Sequence, residues 1–144
     1  TIIVYEYYQQ IYYIQNEMQS LIINEKKWSV GLCDRGTLDG IAYWPNHDTS
    51  FFQELNTDKA TEYNKYAAVI HLSTAGLANG YNLNNPVRIE SASEALEIDE
   101  RIYTIWKDHP NYTRIDSTLN FLDKIEQAVL NINKFVPECC KNNY

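Results

Sequence analysis

Positive charge is scarce in this chain. Of 144 residues only 12 are Lys or Arg, against 19 Asp or Glu, for a net charge of −7. The arginines are Arg35, Arg88, Arg101 and Arg114. A field of that sign disfavours nucleic acid and anionic membranes, so an anion site has to be assembled locally from those few cations. Long apolar runs are also missing. None approaches the roughly 18 residues of a membrane-spanning helix, and no membrane association is expected. Cysteine is limited to Cys33, Cys139 and Cys140. An odd number without C-x-x-C spacing argues against a disulfide framework or a structural zinc site and fits a reducing, cytoplasmic setting. No signal peptide is visible, although a start at Thr1 rather than Met leaves a removed leader open. Clustered His/Asp ligands are absent, which disfavours a metal-dependent hydrolase.

What is present reads as one α/β domain large enough for a core. Thr1–Val4 is β-prone. From Tyr8 to Glu25, Ile11, Ile14, Met18, Leu21 and Ile22 recur at helical spacing and mark one apolar stripe. The run Val30-Gly31-Leu32-Cys33 then ends abruptly at Asp34-Arg35-Gly36, with Asp39-Gly40 following. That pattern predicts a buried strand delivering its C-terminal end to a site, the edge where open α/β sheets bind ligands. Gly36 supplies a sharp turn there. A carboxylate at Asp34 can hold a hydrated Mg²⁺, and the planar fork of Arg35 can hold a phosphate. A β-turn with a surface ion pair is the alternative, since D-x-G turns are common.

Trp44-Pro45 marks a stop, because a residue before proline is pushed out of helix. Asp48, Thr49 or Ser50 is placed to cap a short helix through Phe51, Phe52 and Leu55, and the polar stretch Asp58–Lys65 can extend it. Tyr66–Leu72 (YAAVIHL) predicts a second buried strand. His71 within it reads as a hydrogen-bonded core residue rather than a catalyst. Gly76 and Gly80 lack the spacing of a phosphate-binding loop. Ser91-x-x-Glu94 is a capping box opening a helix with Ala95, Ile98, Ile102, Ile105 and Trp106 on its stripe, and Asp99, Glu100 and Arg101 off it. Asp108–Asn111 ends that helix. Tyr112–Asp116 predicts a third strand. A last helix, capped by Thr118 or Asn120, places Phe121, Leu122, Ile125, Val129, Ile132 and Val136 on one face and closes at Pro137 before a frayed polar tail. Helices alternating with strands imply α/β with a parallel sheet.

Four blocks carry a resemblance: CDRGTLDGIAYWP, YAAVIHLSTA, GYNLNNPVRIESASEALEIDERIYTIWKDHP, and the STLNFLDKI helix. From about Tyr8 to Phe135 the chain resembles an AAA-type ATP-binding family within the P-loop kinase-like NTPases, a group that includes nucleoside and nucleotide kinases. The resemblance implies a parallel sheet flanked by helices, with Mg²⁺ and ATP (or GTP) as cofactors and an unidentified small-molecule acceptor. It makes Asp34 metal-associated or a general base, and Arg35 a substrate or phosphate ligand. Asp39 would support the turn or, with Tyr43, contact substrate. The segment 86–109 resembles a lid, in which Arg88 and Arg101 would neutralise charge developing in phosphoryl transfer. Asp116, Thr118 and Asn120 fall near the nucleotide. For Arg101 the alternative is an i,i+4 helix pair with Glu97.

The chain departs from the pattern in one respect. No G-x-x-x-x-G-K-[ST] occurs in the 144 residues. The expectation is therefore the C-terminal two-thirds of a P-loop domain, without its first strands and phosphate loop. Strands that lose a central neighbour leave unpaired edges, which invite a partner or a homodimer. With an upstream phosphate loop the chain reads as a phosphotransferase or NTPase. The competing expectation is a non-catalytic or degenerate nucleotide-binding protein with a regulatory role.

Overall fold

A computed structural model describes residues 2–44, 47–74, 91–117 and 121–141. In chain order these form helix α1 (Ile2–Glu25), a 3-10 helix (Thr37–Tyr43), α2 (His47–Leu55), α3 (Lys59–Tyr63), strand β1 (Val69–Leu72), α4 (Ala92–Trp106), strand β2 (Tyr112–Ile115), α5 (Phe121–Phe135) and α6 (Glu138–Lys141). They fall into two compact units, residues 1–66 with 136–144, and residues 67–135.

In the first unit α1 runs from Ile2, so Ile2–Val4 is helical where β-propensity predicts strand. The chain leaves α1 through Lys26 and α2 through Asn56, both with positive φ, the left-handed exit common at helix ends. The apolar stripe expected on α1 is not its packing face. Ile14, Met18 and Leu21 are exposed, while Tyr12 is buried. The reason is polar: Tyr12, Asn16 and Gln19 on that face make hydrogen bonds to residues of the same unit. The helix therefore docks by hydrogen-bond satisfaction rather than by its most apolar side. Next to it lies a core of Leu38, Ile41, Ala42, Trp44, Phe51 and Leu55. The Phe51 ring stands edge-on to Tyr12, Trp44 and Phe52, an arrangement aromatic quadrupoles favour. Gly40 faces this ring, with a Cβ there reaching van der Waals contact at 3.4 Å.

The expected strand at Val30–Cys33 does not form. The segment is irregular, with Val30 and Leu32 exposed. An extended segment becomes a strand only by pairing its backbone, and no strand pairs with it among the described residues. It instead passes the end of α1, with Gly31 close to Ile22. α2 begins at His47, so Asp48, Thr49 and Ser50 lie inside the helix rather than capping it. Asp58 caps α3 by accepting from Thr61 N at 2.9 Å. The tail forms one helical turn, α6, rather than fraying throughout.

In the second unit β1 and β2 pair in parallel, Val69 to Tyr112 through Leu72 to Ile115. β1 is shorter than expected because Tyr66 lies outside the strand and its hydroxyl bonds Thr37 in the first unit's network. The predicted capping box of α4 is present. α4 is tied to the strands by Asp99, which bonds His71 and Arg114, and it also buries Ile102 and Trp106. α5 lies along both strands, yet none of its residues is buried, and Phe121, Leu122, Ile125 and Val129 are exposed. A two-stranded sheet is too narrow to cover a helix face. The fold is thus α/β with a small parallel sheet flanked by helices.

Candidate functional site

The Asp34–Arg35 turn is built asymmetrically. Its entry is the irregular segment just described. Its exit is the 3-10 helix, which starts when Asp39 N donates to Gly36 O at 3.0 Å. Thr37 and Leu38 are buried and fix that end in place. The conformational strain sits where glycine chemistry does not predict it. Gly36 is extended, with φ −94° and ψ 157°, while Arg35 has φ 77°. A left-handed arginine costs about 1–2 kcal/mol, and such outliers persist only where their surroundings hold them.

Behind the turn lies a buried carboxylate, Glu62, with 0% exposure. It accepts from Tyr12 OH (2.7 Å), Thr37 Oγ1 (2.7 Å), Thr57 Oγ1 (2.6 Å) and Lys65 Nζ (2.6 Å). Burial by itself would raise its pKa. The bonds from Lys65, Thr37, Thr57 and Tyr12 outweigh burial and hold it below the usual carboxylate range. The same contact has the opposite effect on Tyr12. Burial first, then the bond and the charge of Glu62, push the phenol up to about 12. Tyr66 closes the arrangement. Its hydroxyl accepts from Thr37 N at 2.8 Å and from Gln19 Nε2 at 2.9 Å, and donates to Thr37 Oγ1 at 3.2 Å.

In front of the turn, Asp34 is exposed, and its carboxylate has no hydrogen-bond or ion-pair partner among the described residues. Arg35 is 57% exposed on its side chain and lies 3.9 Å from Asp39, the less exposed partner. Tyr43 stacks on Tyr8 with ring centroids 5.3 Å apart. Among the described residues no three His, Cys, Asp or Glu side chains converge on a metal position. Mg²⁺ commonly binds through one or two carboxylates plus substrate phosphates while keeping several waters. A lone, unpaired Asp34 fits a Mg²⁺ that arrives with a nucleotide and does not fit a resident metal.

The second unit holds a separate polar cluster at the C-terminal ends of β1 and β2. His71 and Arg114 are register partners. His71 bonds Tyr112 OH through Nδ1 (2.7 Å) and Asp99 through Nε2 (3.1 Å). Asp99 also accepts from Thr74 N (2.7 Å) and from Arg114 (3.0 Å). Arg114 reaches Ser73 Oγ at 2.8 Å and Glu100 at 3.4 Å. Lys124 donates to the Ser73 carbonyl. Burial opposes the charge on Arg114, but Asp99 and Glu100 outweigh it and raise its pKa. Burial lowers Lys124 and raises Tyr112, so Tyr112 is no activated nucleophile. This is the core role expected for His71. Asp99 is a correction: it belongs on the buried face of α4, not off the stripe. Its position four after Ala95 and three before Ile102 carries that signal.

The other expected residues fall as follows. Asp34, Arg35 and Asp39 lie together at the turn, while Tyr43 sits at the far end of the 3-10 helix, stacked on Tyr8. Arg101 is exposed on α4 and pairs with Glu97 at 2.6 Å. Asp116 follows β2, 91% exposed on its side chain and 3.9 Å from Arg114. Arg88, Thr118 and Asn120 lie outside the described residues, as do residues 86–90 of the lid-like segment, the Gly76–Gly80 stretch and Pro45.

A family model described as an AAA domain matches residues 6–121. The chain belongs to the AAA domain family. No curated protein and no solved structure matches it. The matched span contains the Asp34–Arg35 turn, the Glu62 network, both strands and α4. Membership points to a nucleotide-binding, P-loop NTPase-like protein.

Proposed function

We propose that this AAA domain protein, in its full-length form, is a Mg²⁺-dependent phosphotransferase of the nucleoside or nucleotide kinase type, acting at the Asp34–Arg35 turn. The observation that carries the reading is the left-handed Arg35, which is held exposed beside an unpaired carboxylate inside the family's matched span. Backbone strain of that kind clusters at functional sites. Asp34 would hold the Mg²⁺ of a metal–nucleotide complex or accept the acceptor's proton. Bound there, the metal would neutralise phosphate charge as it develops. Arg35 would bind phosphate through its planar fork, and Asp39 would orient that guanidinium. Arg88 and Arg101 are proposed for the lid, and Asp116, Thr118 and Asn120 for the nucleotide.

A second reading has its own support. The 144 residues contain no G-x-x-x-x-G-K-[ST], the loop that cradles phosphates in ordinary P-loop catalysts. A non-catalytic nucleotide-binding or regulatory protein is the competing proposal. The test is Mg-ATP and Mg-GTP binding by the full-length protein, followed by phosphoryl transfer to a panel of nucleosides and nucleotides. The expected result is turnover that Asp34→Ala abolishes while circular dichroism stays native. Turnover unchanged by Asp34→Ala would sink the kinase reading. Binding without transfer would select the second.

A further inference from the structure

We infer that the Tyr66 hydroxyl is a positioning group for the Asp34–Arg35 turn, the far end of a one-directional hydrogen-bond chain that Glu62 polarises. The inference rests on the proposed function and names what holds that site in its working shape.

The direction of the chain follows from counting protons. An ionised carboxylate only accepts, and Glu62 accepts four hydrogen bonds. The Thr37 hydroxyl therefore spends its one proton on Glu62, which obliges it to accept from Tyr66. The Tyr66 hydroxyl spends its own proton on Thr37 Oγ1 and has two lone pairs left. Those take the Thr37 amide and the Gln19 side chain. Every donor and acceptor of the phenol is then committed, and its orientation has one solution.

Tyr66 contacts the turn's exit twice, through the amide and the hydroxyl of Thr37, two residues beyond Arg35. Thr37 is 1% exposed, so no solvent replaces a lost partner for its N–H. On the entry side Val30–Cys33 is exposed and pairs with no strand among the described residues, and Cys33 lies close enough to Tyr66 to couple with it electrostatically. The hydrogen bonds of Tyr66 and Thr37 thus fix the exit side of the strained Arg35.

The experiment uses the full chain and compares Tyr66→Phe with Leu55→Ala, a core truncation in α2. For each, the thermal midpoint, the Mg-ATP affinity and the kcat-against-KM split are measured well below unfolding. Hydrogen exchange at the amides of residues 34–37 reports on the turn without nucleotide. The expected outcome is a loss of at least tenfold in Mg-ATP affinity or kcat for Tyr66→Phe, with several-fold faster exchange at those amides. Leu55→Ala lowers the midpoint and moves neither. Parent-like affinity, turnover and exchange in Tyr66→Phe overturn the inference, as does a loss that Leu55→Ala matches at equal stability. Should Tyr66→Phe fail to fold, Thr37→Val is read by the same criteria. If Asp34→Ala leaves affinity and turnover intact, the site reading fails, and this inference with it. If Asp34→Ala matters and Tyr66→Phe does not, the inference alone fails.

Discussion

Arg35 occupies backbone that suits glycine, and the residue beside it is a glycine that does not need its freedom. Exchanging Arg35 for glycine removes the strain and the guanidinium together, so stability reports on the backbone and binding on the side chain. Arg35→Gly removes the left-handed penalty of about 1–2 kcal/mol and adds about 0.5–1 kcal/mol of unfolded-state entropy. The variant is expected to be as stable as the parent or up to ~1.5 kcal/mol more so by urea unfolding, and to lose nucleotide binding. A destabilised variant would show that the left-handed backbone serves packing, and parent-like binding would show that Arg35 is no nucleotide ligand. Residue type alone pointed to Asp34 and Arg35 as exposed, chemically capable groups. It could not reveal which of Arg35 and Gly36 bears the unusual dihedral, because that depends on how Thr37 is anchored to residues 25 and 29 positions away.

At the scale of elements, Glu62 ties α3, in which it lies, to α1 through Tyr12 and to the 3-10 helix through Thr37, with Lys65 just beyond α3 as its counter-charge. Removing it leaves three hydroxyls and an ammonium without their acceptor. Glu62→Ala is expected to cost ~3–5 kcal/mol, as breaking a buried charge pair does, measured by denaturant midpoint. The pH dependence follows from the directions of the shifts. Glu62 is depressed in the folded state, so its contribution is present above the unfolded value of 4.5 and is lost as pH falls through the lower folded value. Tyr12 is raised, so its contribution is present below 10.0 and is lost as pH climbs toward about 12. Thermal scans of the parent should decline at both ends, and Glu62→Gln should flatten the acid limb. None of this was legible in the stretch Asp58–Lys65, which reads only as a polar extension of the helix before it. Helices with strong local signals were legible: the capping box of α4, its stop at Asp108–Asn111 and the Pro137 closure depend on residues a few positions apart. The strand at Val30–Cys33 was misread because an apolar run records an appetite for pairing, not the presence of a partner.

Over the whole molecule, acidic residues outnumber basic ones by 19 to 12. Arg114 faces Asp99, Glu100 and Asp116, and Arg101 faces Glu97. A net charge of −7 repels a phosphate backbone. The protein is expected to show no mobility shift of duplex DNA or single-stranded RNA at about 0.15 M salt. A shift that weakens steeply with added salt would contradict the charge argument.

By itself the sequence determined the α/β class with a parallel sheet, the strands around Val69 and Tyr112, the limits of α4, the end of α1, the family blocks and the chemically capable Asp34–Arg35 pair. These rest on local propensity, periodicity and motif spacing, which a linear chain records directly. The tertiary structure alone decided that Glu62 is a buried hub, that α1 docks through Tyr12 rather than its apolar stripe, that Asp99 faces His71 and Arg114, and that Arg35 carries the strain. Each depends on which distant donor meets which acceptor once water is excluded. That matching is a property of three-dimensional placement, with no counterpart in the spacing of residues along the chain.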